Sequence, residues 1–497
     1  MRVFVVTNYL QQIESTDDCV PEQAPVLAAC KVIPQELEQI RCSSVDVALG
    51  ADGAQRKRIA EQLLNEVLGS DEETVVAYRG EQRWAQVYEP VRLTGEGERR
   101  GLRRGGTYLI TGGLGGIGLL LAEYLWKEWG AKLALVSRKS LPPREFWADE
   151  LKQSRKGESE ERKRRQLEWL IRMEEQGAEV EIVPADVGDE EQMKEAVARI
   201  VRRFGVLNGV IHAAGIQGEQ AVSLIPEVTP EGSELQFQPK VKGLYVLEKT
   251  LAGRDVDFCL LFSSNAAILG GIGSYTYAAA NVFMDAFAAS RLRAGSTPWI
   301  SVNWDGWLLQ DKVQLSASFQ TSMDQYAMTP KESVEAFGRV VSAKGVSQLV
   351  VSTGDLPARL QMWLALQGAT GKEKPEHGGA PALHPRPALS TIYAPPSNDL
   401  EHTVVRVWQD LLGIEKLGIH DNFFDLGGNS LIGLKVIGRL KKELSINISV
   451  VALFEGPTVS ALAKTISENG AQPTYEESRS RGDRRRERRA SASRVTT

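Results

Sequence analysis

GTYLITGGLGGIGLLLAEY, Gly106 to Tyr124, begins with a short apolar β-rich segment, Tyr108 to Thr111. It passes through a glycine cluster and runs directly into an apolar helical stretch. Strand, glycine turn and helix start are the context in which a glycine motif gains meaning. Without Cβ atoms the backbone can approach a pyrophosphate, and the helix N-terminus offers free N–H groups and a partial positive charge. The spacing is Thr111-Gly112-x-x-x-Gly116-x-Gly118, and a unit of βαβ size follows. It points to a dinucleotide cradle of Thr111, Gly112, Gly113, Leu114, Gly115, Gly116, Ile117 and Gly118, against the alternative of a plain tight turn.

Outward from this stretch, apolar strand-like runs recur at 108–111, 132–138, 179–184, 209–213, 257–263, 299–303 and 348–352, separated by helical stretches. The alternation predicts an α/β fold with a doubly wound parallel (Rossmann) sheet. Parallel strands covered on both faces read as nearly continuous apolar runs, and these do. A charged insertion, 144–175, with the basic run Arg162–Arg165, reads as a solvated helix face rather than a binding surface.

Residues 1–95 read as a smaller α/β unit. Arg2 to Thr7 has the pattern of a buried strand, 61–68 of a helix and 74–78 of another strand. Asn8-Tyr9-Leu10-Gln11 follows the first strand with no glycine turn, so a phosphate has no backbone cradle there and the unit is expected to be structural. The larger α/β domain is placed at 96–367, and a Pro/Gly/Ala-rich linker at 368–398. A short helical segment at 399–468 is expected to form a small four-helix bundle. Its helix from Ser430 aligns Leu431, Leu434, Ile437, Leu440 and Leu444 along one face. The tail, 469–497, carries a basic block at 484–489 and reads as disordered.

Bulk composition narrows the function. Of 497 residues, 42% are hydrophobic and 25% charged, a globular balance, and a net charge of −5 is too mild to imply a nucleic-acid partner. Cys19, Cys30, Cys42 and Cys259 form no CxxC and read as buried thiols, and the five scattered histidines predict no metal site. The start lacks a basic leader and no run is long enough to span a membrane, so a soluble cytoplasmic protein with no membrane partner is expected.

The strand at 132–138 ends in Ser137 and Arg138. An acid at this place binds ribose hydroxyls in NAD-selective sites, whereas an arginine suits a 2′-phosphate and favours NADPH; the plainer reading is a surface arginine. Asp186 and Val187 follow the next strand, where Asp186 is within reach of an adenine amine. Ala213, Ala214 and Gly215 are small enough to let a cofactor lie close. Ser264 stands at the carboxyl end of a strand, where open parallel sheets bind ligands. Tyr277 and Asn281 are four apart and share a helix face. Reducing a ketone takes a hydride and a proton. A tyrosine supplies the proton when a nearby cation lowers its pKa from about 10, and a serine hydroxyl holds the oxygen.

TGGLGGIG, HAAG, QPKVKG, LFSSNAAILGGIGSYTYAAAN and SVNWDGW together resemble the ketoreductase of type I modular polyketide synthases, a short-chain dehydrogenase relative. In ordinary short-chain dehydrogenases a lysine stands four residues after the tyrosine; here that residue is Asn281. In the synthase ketoreductases the lysine comes from an earlier PKV motif, present here as Pro239-Lys240-Val241. The resemblance implies that Tyr277 is the proton donor and that Ser264 positions the carbonyl. It implies that Lys240 lowers the tyrosine pKa and that Asn281 supports the relay. The family's LDD marker falls on Gln217-Gly218-Glu219 and its tryptophan marker on Leu269, so the hydroxyl configuration stays open. VLAACKVIPQE and VAYRGEQRWAQVYEPVRL resemble the family's truncated, cofactor-free structural subdomain.

Asp421 to Leu431, DNFFDLGGNSL, places a serine at a helix start after two glycines. Alone this is equally an N-cap serine. With LFEGPTVSALA it resembles acyl and peptidyl carrier domains, which implies a 4′-phosphopantetheine arm on Ser430. A linker of this length gives a root-mean-square reach of about 30 Å and effective concentrations of about 1 mM, so weak docking suffices. The expected reaction is NADPH-dependent reduction of a carrier-bound 3-ketoacyl thioester. The expected partners are a phosphopantetheinyl transferase and upstream and downstream synthase modules. With no ketosynthase, acyltransferase, dehydratase or thioesterase motif, the chain reads as a fragment or a separately encoded subunit. The rival readings are a reductase of free small ketones, disfavoured by the carrier motif, and a silent scaffold, disfavoured by the full Lys240, Ser264, Tyr277, Asn281 set.

Overall fold

The computed structural model describes residues 1–469 except 15, 16, 18, 38, 51, 70–72, 94–100, 153–156, 217–222, 293–296, 310–325, 344, 362–383, 388, 390, 424, 429, 445, 447, 449–451, 454 and 455. The chain divides into two compact units, Met1–Lys372 and Glu373–Thr497. Gln217-Gly218-Glu219 and the basic tail block lie outside the described residues.

The first unit opens with a four-stranded sheet: β1 (Arg2–Asn8), β2 (Arg41–Val47), β3 (Val75–Arg79) and β4 (Gln82–Ala85), with α1 (Pro25–Glu36) and α2 (Gly53–Leu68) between them. β1 to β3 are parallel and β4 returns antiparallel. The apolar run of β1 predicts a buried strand. Among the described residues it pairs only with β2 at the sheet edge, and Val6 is half exposed. The sheet is closed at its carboxyl end by a buried ion cluster. Arg79 reaches Asp17 at 2.9 Å and Asp46 at 2.8 Å. Asp46 also accepts the Thr7 hydroxyl and the Leu10 and Gln11 N–H groups. In a nucleotide-binding sheet the loop N–H groups after the first strand face phosphate; here a carboxylate of the chain takes them.

The second sheet holds β5 (Thr107–Thr111), β6 (Lys132–Ser137), β7 (Val180–Pro184), β8 (Gly209–His212), β9 (Phe258–Ser264), β10 (Trp299–Trp304) and β11 (Gln348–Val350). Every expected strand is present, all pairings are parallel, and the order is β11-β10-β9-β8-β5-β6-β7. The order reverses at β5/β8, the switch point where such sheets bind ligands. Its helices are α3 (Gly116–Trp129), α4 (Trp147–Lys152), α5 (Glu158–Glu175), α6 (Glu190–Phe204), α7 (Pro230–Phe237), α8 (Gly243–Leu251), α9 (Ala266–Leu269), α10 (Tyr275–Arg291) and α11 (Pro330–Val340). Two apolar layers sandwich the sheet, one through Leu121, Leu125 and Phe337, the other through Ile200, Leu247 and Phe287. The charged insertion forms α4 and α5. Trp147, Leu167, Leu170 and Met173 enter the first layer, while the basic run stays on the outer side, where Arg164 pairs with Glu168.

In the second unit the described helices are α12 (Asp399–Leu412), α13 (Ser430–Leu444) and α14 (Val459–Asn469). They enclose Trp408, packed edge to face on Phe423 with centroids 4.8 Å apart, together with Val436, Ile437, Leu440 and Leu462. The side chains of Leu431 and Leu434 lie outside the described residues. Part of the Pro/Gly/Ala-rich stretch is folded onto this unit. Arg386 grips Asp421 through two nitrogens at 2.6 and 2.7 Å, and Thr391 joins them. Burial pushes the Asp421 carboxyl up, but Arg386, the Gly418 N–H and Thr391 outweigh it and hold it below the ordinary carboxylate range.

Removing one partner of a buried ion cluster leaves the others uncompensated. Arg79→Met is therefore expected to destabilise the first unit by about 3–5 kcal/mol, read from the urea unfolding transition of the full chain.

Candidate active site and carrier serine

The glycine cluster is a cradle that only glycine can build. At Gly112, with φ of +68°, a Cβ would stand 2.8 Å from the Ala213 carbonyl oxygen. At Gly113 it would meet Leu135 Cα at 2.8 Å, and at Gly118 the Gly112 carbonyl oxygen at 2.6 Å. These approaches weld β5, β6, β8 and α3 together at the switch point. α3 starts after Gly115 without a side-chain cap, so its first-turn N–H groups remain available to an anion. Leu114 is buried, while Gly116 and Ile117 form the first turn of α3. Thr111 is fully buried; its Oγ1 accepts the Ala214 N–H at 3.3 Å and lies 2.8 Å from His212 Nδ1. Burial, with the charge of Lys240, pulls His212 down to about 3, so this ring is neutral. The residues present fit a dinucleotide.

The other expected cofactor contacts are arrayed along neighbouring strand ends. Ser137 ends β6 and its hydroxyl accepts the Lys139 N–H; Arg138 beside it is exposed. After β7, Asp186 accepts the Gly188 N–H at 2.8 Å, and Val187 is buried against Gly243. A cavity of about 450 Å³ opens beside Asp186, walled by Gln192, Gln238 and Lys242. After β8, Gly215 lies so near Lys240 that a Cβ would stand 3.1 Å from its Cε.

Lys240 sits in a π-helical turn, Gln238–Lys242, between α7 and α8. Pro239 has no N–H to give the helical ladder, and such wide turns recur at functional sites. The turn carries Lys240 into the interior, where it is 5% exposed. Its Nζ donates to Asn281 Oδ1 at 2.6 Å and to the Phe262 carbonyl at 3.2 Å, and stands 5.2 Å from the centre of the Tyr277 ring. Burial pulls Lys240 down to about 7, against the field of Asp285. Asn281 donates in turn to the Tyr277 carbonyl at 2.8 Å. Tyr277 is half-buried at the N-terminus of α10. Burial raises its pKa; hydrogen bonding with Ser264 and Asn281 pulls the other way without cancelling it. Ser264 ends β9 and accepts the Ala266 N–H at 3.2 Å. The fold thus gathers Lys240, Ser264, Tyr277 and Asn281 next to the cradle.

Two further groups escaped the sequence reading. Asp285 is one turn beyond Asn281 on the same face of α10 and is buried. It accepts the Ser301 hydroxyl at 2.5 Å and an Asn303 N–H at 2.8 Å. Asn303 also donates to the Ser263 hydroxyl at 3.0 Å and the Ser264 carbonyl at 3.2 Å, which fixes the end of β9. The available signals were an acid inside the apolar run of α10 and an asparagine inside the apolar strand β10. Burial pushes Asp285 from the ordinary 3.8 up to about 6, opposed by Ser301, Asn303, Ser263 and the charge of Lys31.

In the second unit Ser430 is the first residue of α13; its side chain lies outside the described residues. Gly428, two residues earlier, lies tight against Phe423, whose carbonyl oxygen would stand 2.4 Å from a Cβ there.

Residues 106–308 match the family model described as KR domain, and residues 402–466 the one described as phosphopantetheine attachment site. The polyketide synthase PksM of Bacillus subtilis (strain 168) is 28% identical over 413 residues, 80% of this chain and 9% of its own length. A phenolphthiocerol/phthiocerol polyketide synthase of Mycobacterium tuberculosis (strain CDC 1551 / Oshkosh) is 32% identical over 419 residues, 82% of this chain and 21% of its own. A ketoreductase domain from the bacillaene assembly line shares the fold, with a TM-score of 0.56 at 24% identity over 73% of this chain and 80% of that one. The class is therefore a KR domain followed by a phosphopantetheine carrier domain. Its homologues are the type I polyketide synthases, and the chain spans 9% and 21% of the length of the two relatives named.

Asp285 gives the site a measurable signature. A carboxyl raised in the folded state stabilises it fully below the unfolded value of 3.8, and that contribution is lost as pH rises through about 6. Wild-type melting temperature should therefore carry a falling component between about pH 4 and pH 6 that Asp285→Asn removes.

Proposed function

We propose that the chain reduces a carrier-bound 3-ketoacyl thioester to the 3-hydroxyacyl thioester with NADPH, and carries the acyl chain on a phosphopantetheine arm at Ser430, in polyketide or hybrid polyketide/peptide biosynthesis. The observation that carries this reading is the buried Lys240–Asn281 bond beside Tyr277, at the end of the strand that bears Ser264. When bound, NADPH supplies the hydride that adds to the ketone carbon.

The chain's own residues do the rest. Thr111 to Gly118 and Ala213 to Gly215 hold the dinucleotide at the switch point, and exposed Arg138 binds the 2′-phosphate. Ser264 donates a hydrogen bond to the ketone oxygen. Burial keeps the Tyr277 phenol protonated until negative charge develops on that oxygen, and the proton then passes from Tyr277 Oη to it. The Lys240 ammonium, fixed by Asn281, stabilises the phenolate left behind and so lowers the tyrosine pKa when it matters. Asp285 keeps a compensating negative charge within reach of Lys240. A cytoplasmic phosphopantetheinyl transferase loads Ser430, and neighbouring synthase modules supply the ketone and accept the alcohol.

Tyr277→Phe should lower the rate of NADPH oxidation with a 3-ketoacyl thioester by about 10²–10⁴-fold while NADPH still binds; an unchanged rate overturns the assignment. Incubation with coenzyme A and a phosphopantetheinyl transferase should add one phosphopantetheine mass to the wild type and none to Ser430→Ala. No gain in the wild type removes the carrier half of the proposal.

A further inference from the structure

The polypeptide between Ser264 and Tyr277 passes through α9 and then Gly270-Gly271-Ile272-Gly273. Gly270, Gly271 and Gly273 all have positive φ, at +76°, +138° and +73°. Three such glycines in four residues have much conformational freedom to lose, and the loop's own bonds, Gly270 N–H to the Ala266 carbonyl and Ser274 to the Gly271 carbonyl, are joined by others from outside it. Both oxygen-directed hydroxyls of the site hang from its two ends.

The outside bonds come from α1, of the sheet without a glycine cradle. Leu27 and Ala28 of α1 pack on Ala278, Ala279 and Val282 of α10, and these small residues let the helices approach closely. The last turns of α1 then reach the loop. Lys31 Nζ donates to the Ala267 carbonyl at 2.5 Å. Gln35 Nε2 donates to the Leu269 carbonyl at 2.7 Å, and its Oε1 accepts the Gly271 N–H at 2.7 Å. Glu36 Oε1 accepts the Gly273 N–H at 2.9 Å, and its Oε2 accepts the Ile225 N–H at 2.7 Å. Ser223 N–H closes the circuit by donating to the Gly273 carbonyl at 2.8 Å. The fit has no slack, since a Cβ at Gly270 would stand 2.7 Å from Gln35 Nε2. A structural prop needs only the apolar contact with α10; polar atoms satisfied one by one along a glycine loop fix its coordinates.

We propose that Gln35 and Glu36 are positioning residues of the reductase. They act through the loop that sets Ser264 against Tyr277 and carries Leu269, so they govern turnover and the face on which the ketone is reduced. This inference rests on the reductase reading above.

The test uses the full chain, the N-acetylcysteamine thioester of 2-methyl-3-ketopentanoate as substrate, and Glu36→Ala, Glu36→Gln and Gln35→Ala. NADPH affinity is read by fluorescence, folding by the melting transition, and the four stereoisomeric products by chiral chromatography. Glu36→Ala and Gln35→Ala should lower kcat by about tenfold to 100-fold and change the product ratio, with NADPH affinity held within about twofold. Glu36→Gln keeps one acceptor oxygen and should recover part of the loss; it decides the matter if Glu36→Ala does not fold. Folded variants with wild-type kcat and product ratio overturn the inference, as does a loss of kcat matched by an equal loss of NADPH affinity. A wild-type chain that binds NADPH but reduces neither this thioester nor the same acyl chain loaded on its own phosphopantetheine arm overturns the reductase reading itself, and this inference with it.

Discussion

An ammonium group in a protein interior must be held by oxygen atoms or given up, and the Lys240 ammonium sets the terms for the site around it. Its two acceptors, Asn281 Oδ1 and the Phe262 carbonyl, belong to α10 and β9, while the lysine itself comes from the turn after α7. Three separate elements are thereby held in register at one point. The π-helical turn gives the lysine its inward aim. Asn281, four residues after Tyr277, accepts from the lysine through Oδ1 while its Nδ2 donates to the Tyr277 carbonyl. Asp285, one turn further along α10, lies at the head of a hydrogen-bonded ladder through Asn303 to the end of β9. Moving any one of these groups moves the cation relative to Tyr277.

Much of this arrangement was readable in the chain because it is local. A seven-strand parallel sheet announces itself by apolar runs of the right length at the right intervals, and a glycine cradle by its position between a strand and a helix. Ser264, Tyr277 and Asn281 lie within one short segment, so strand end and helix face could be assigned from spacing alone. Lys240 is different. Nothing in the residues around it declares that a lysine in QPKVKG turns inward, and only resemblance to a family supplied that expectation. Asp285 and Asn303 were missed because their partners are on other elements, and a lone polar residue in an apolar run has no periodicity to betray it. For β1 the error had the opposite sense: Arg2-Val-Phe-Val-Val-Thr7 has the composition of a covered strand, yet strand order put it at an edge. Arg386 reads as part of a linker because a single arginine among prolines gives no hint of Asp421 thirty-five residues on.

The two sheets of the first unit treat the same geometric opportunity in opposite ways. Beyond β5 the first-turn N–H groups of α3 are left without a side-chain cap. At the end of β1 the corresponding groups are consumed by Asp46, which Arg79 and Asp17 lock in place. One sheet is thus committed to a ligand and the other to itself, and the second is free to lend its helix α1 to the first.

That loan bears on how such chains exchange parts. A crossover placed between the small sheet and the large one would join an α1 from one parent to a 267–273 loop from another, and its side chains would have to match that foreign main chain atom for atom. Hybrids spliced there should fold on their apolar contacts and still misplace that loop, whereas a splice site beyond residue 372 would inherit both halves of the lock from a single parent.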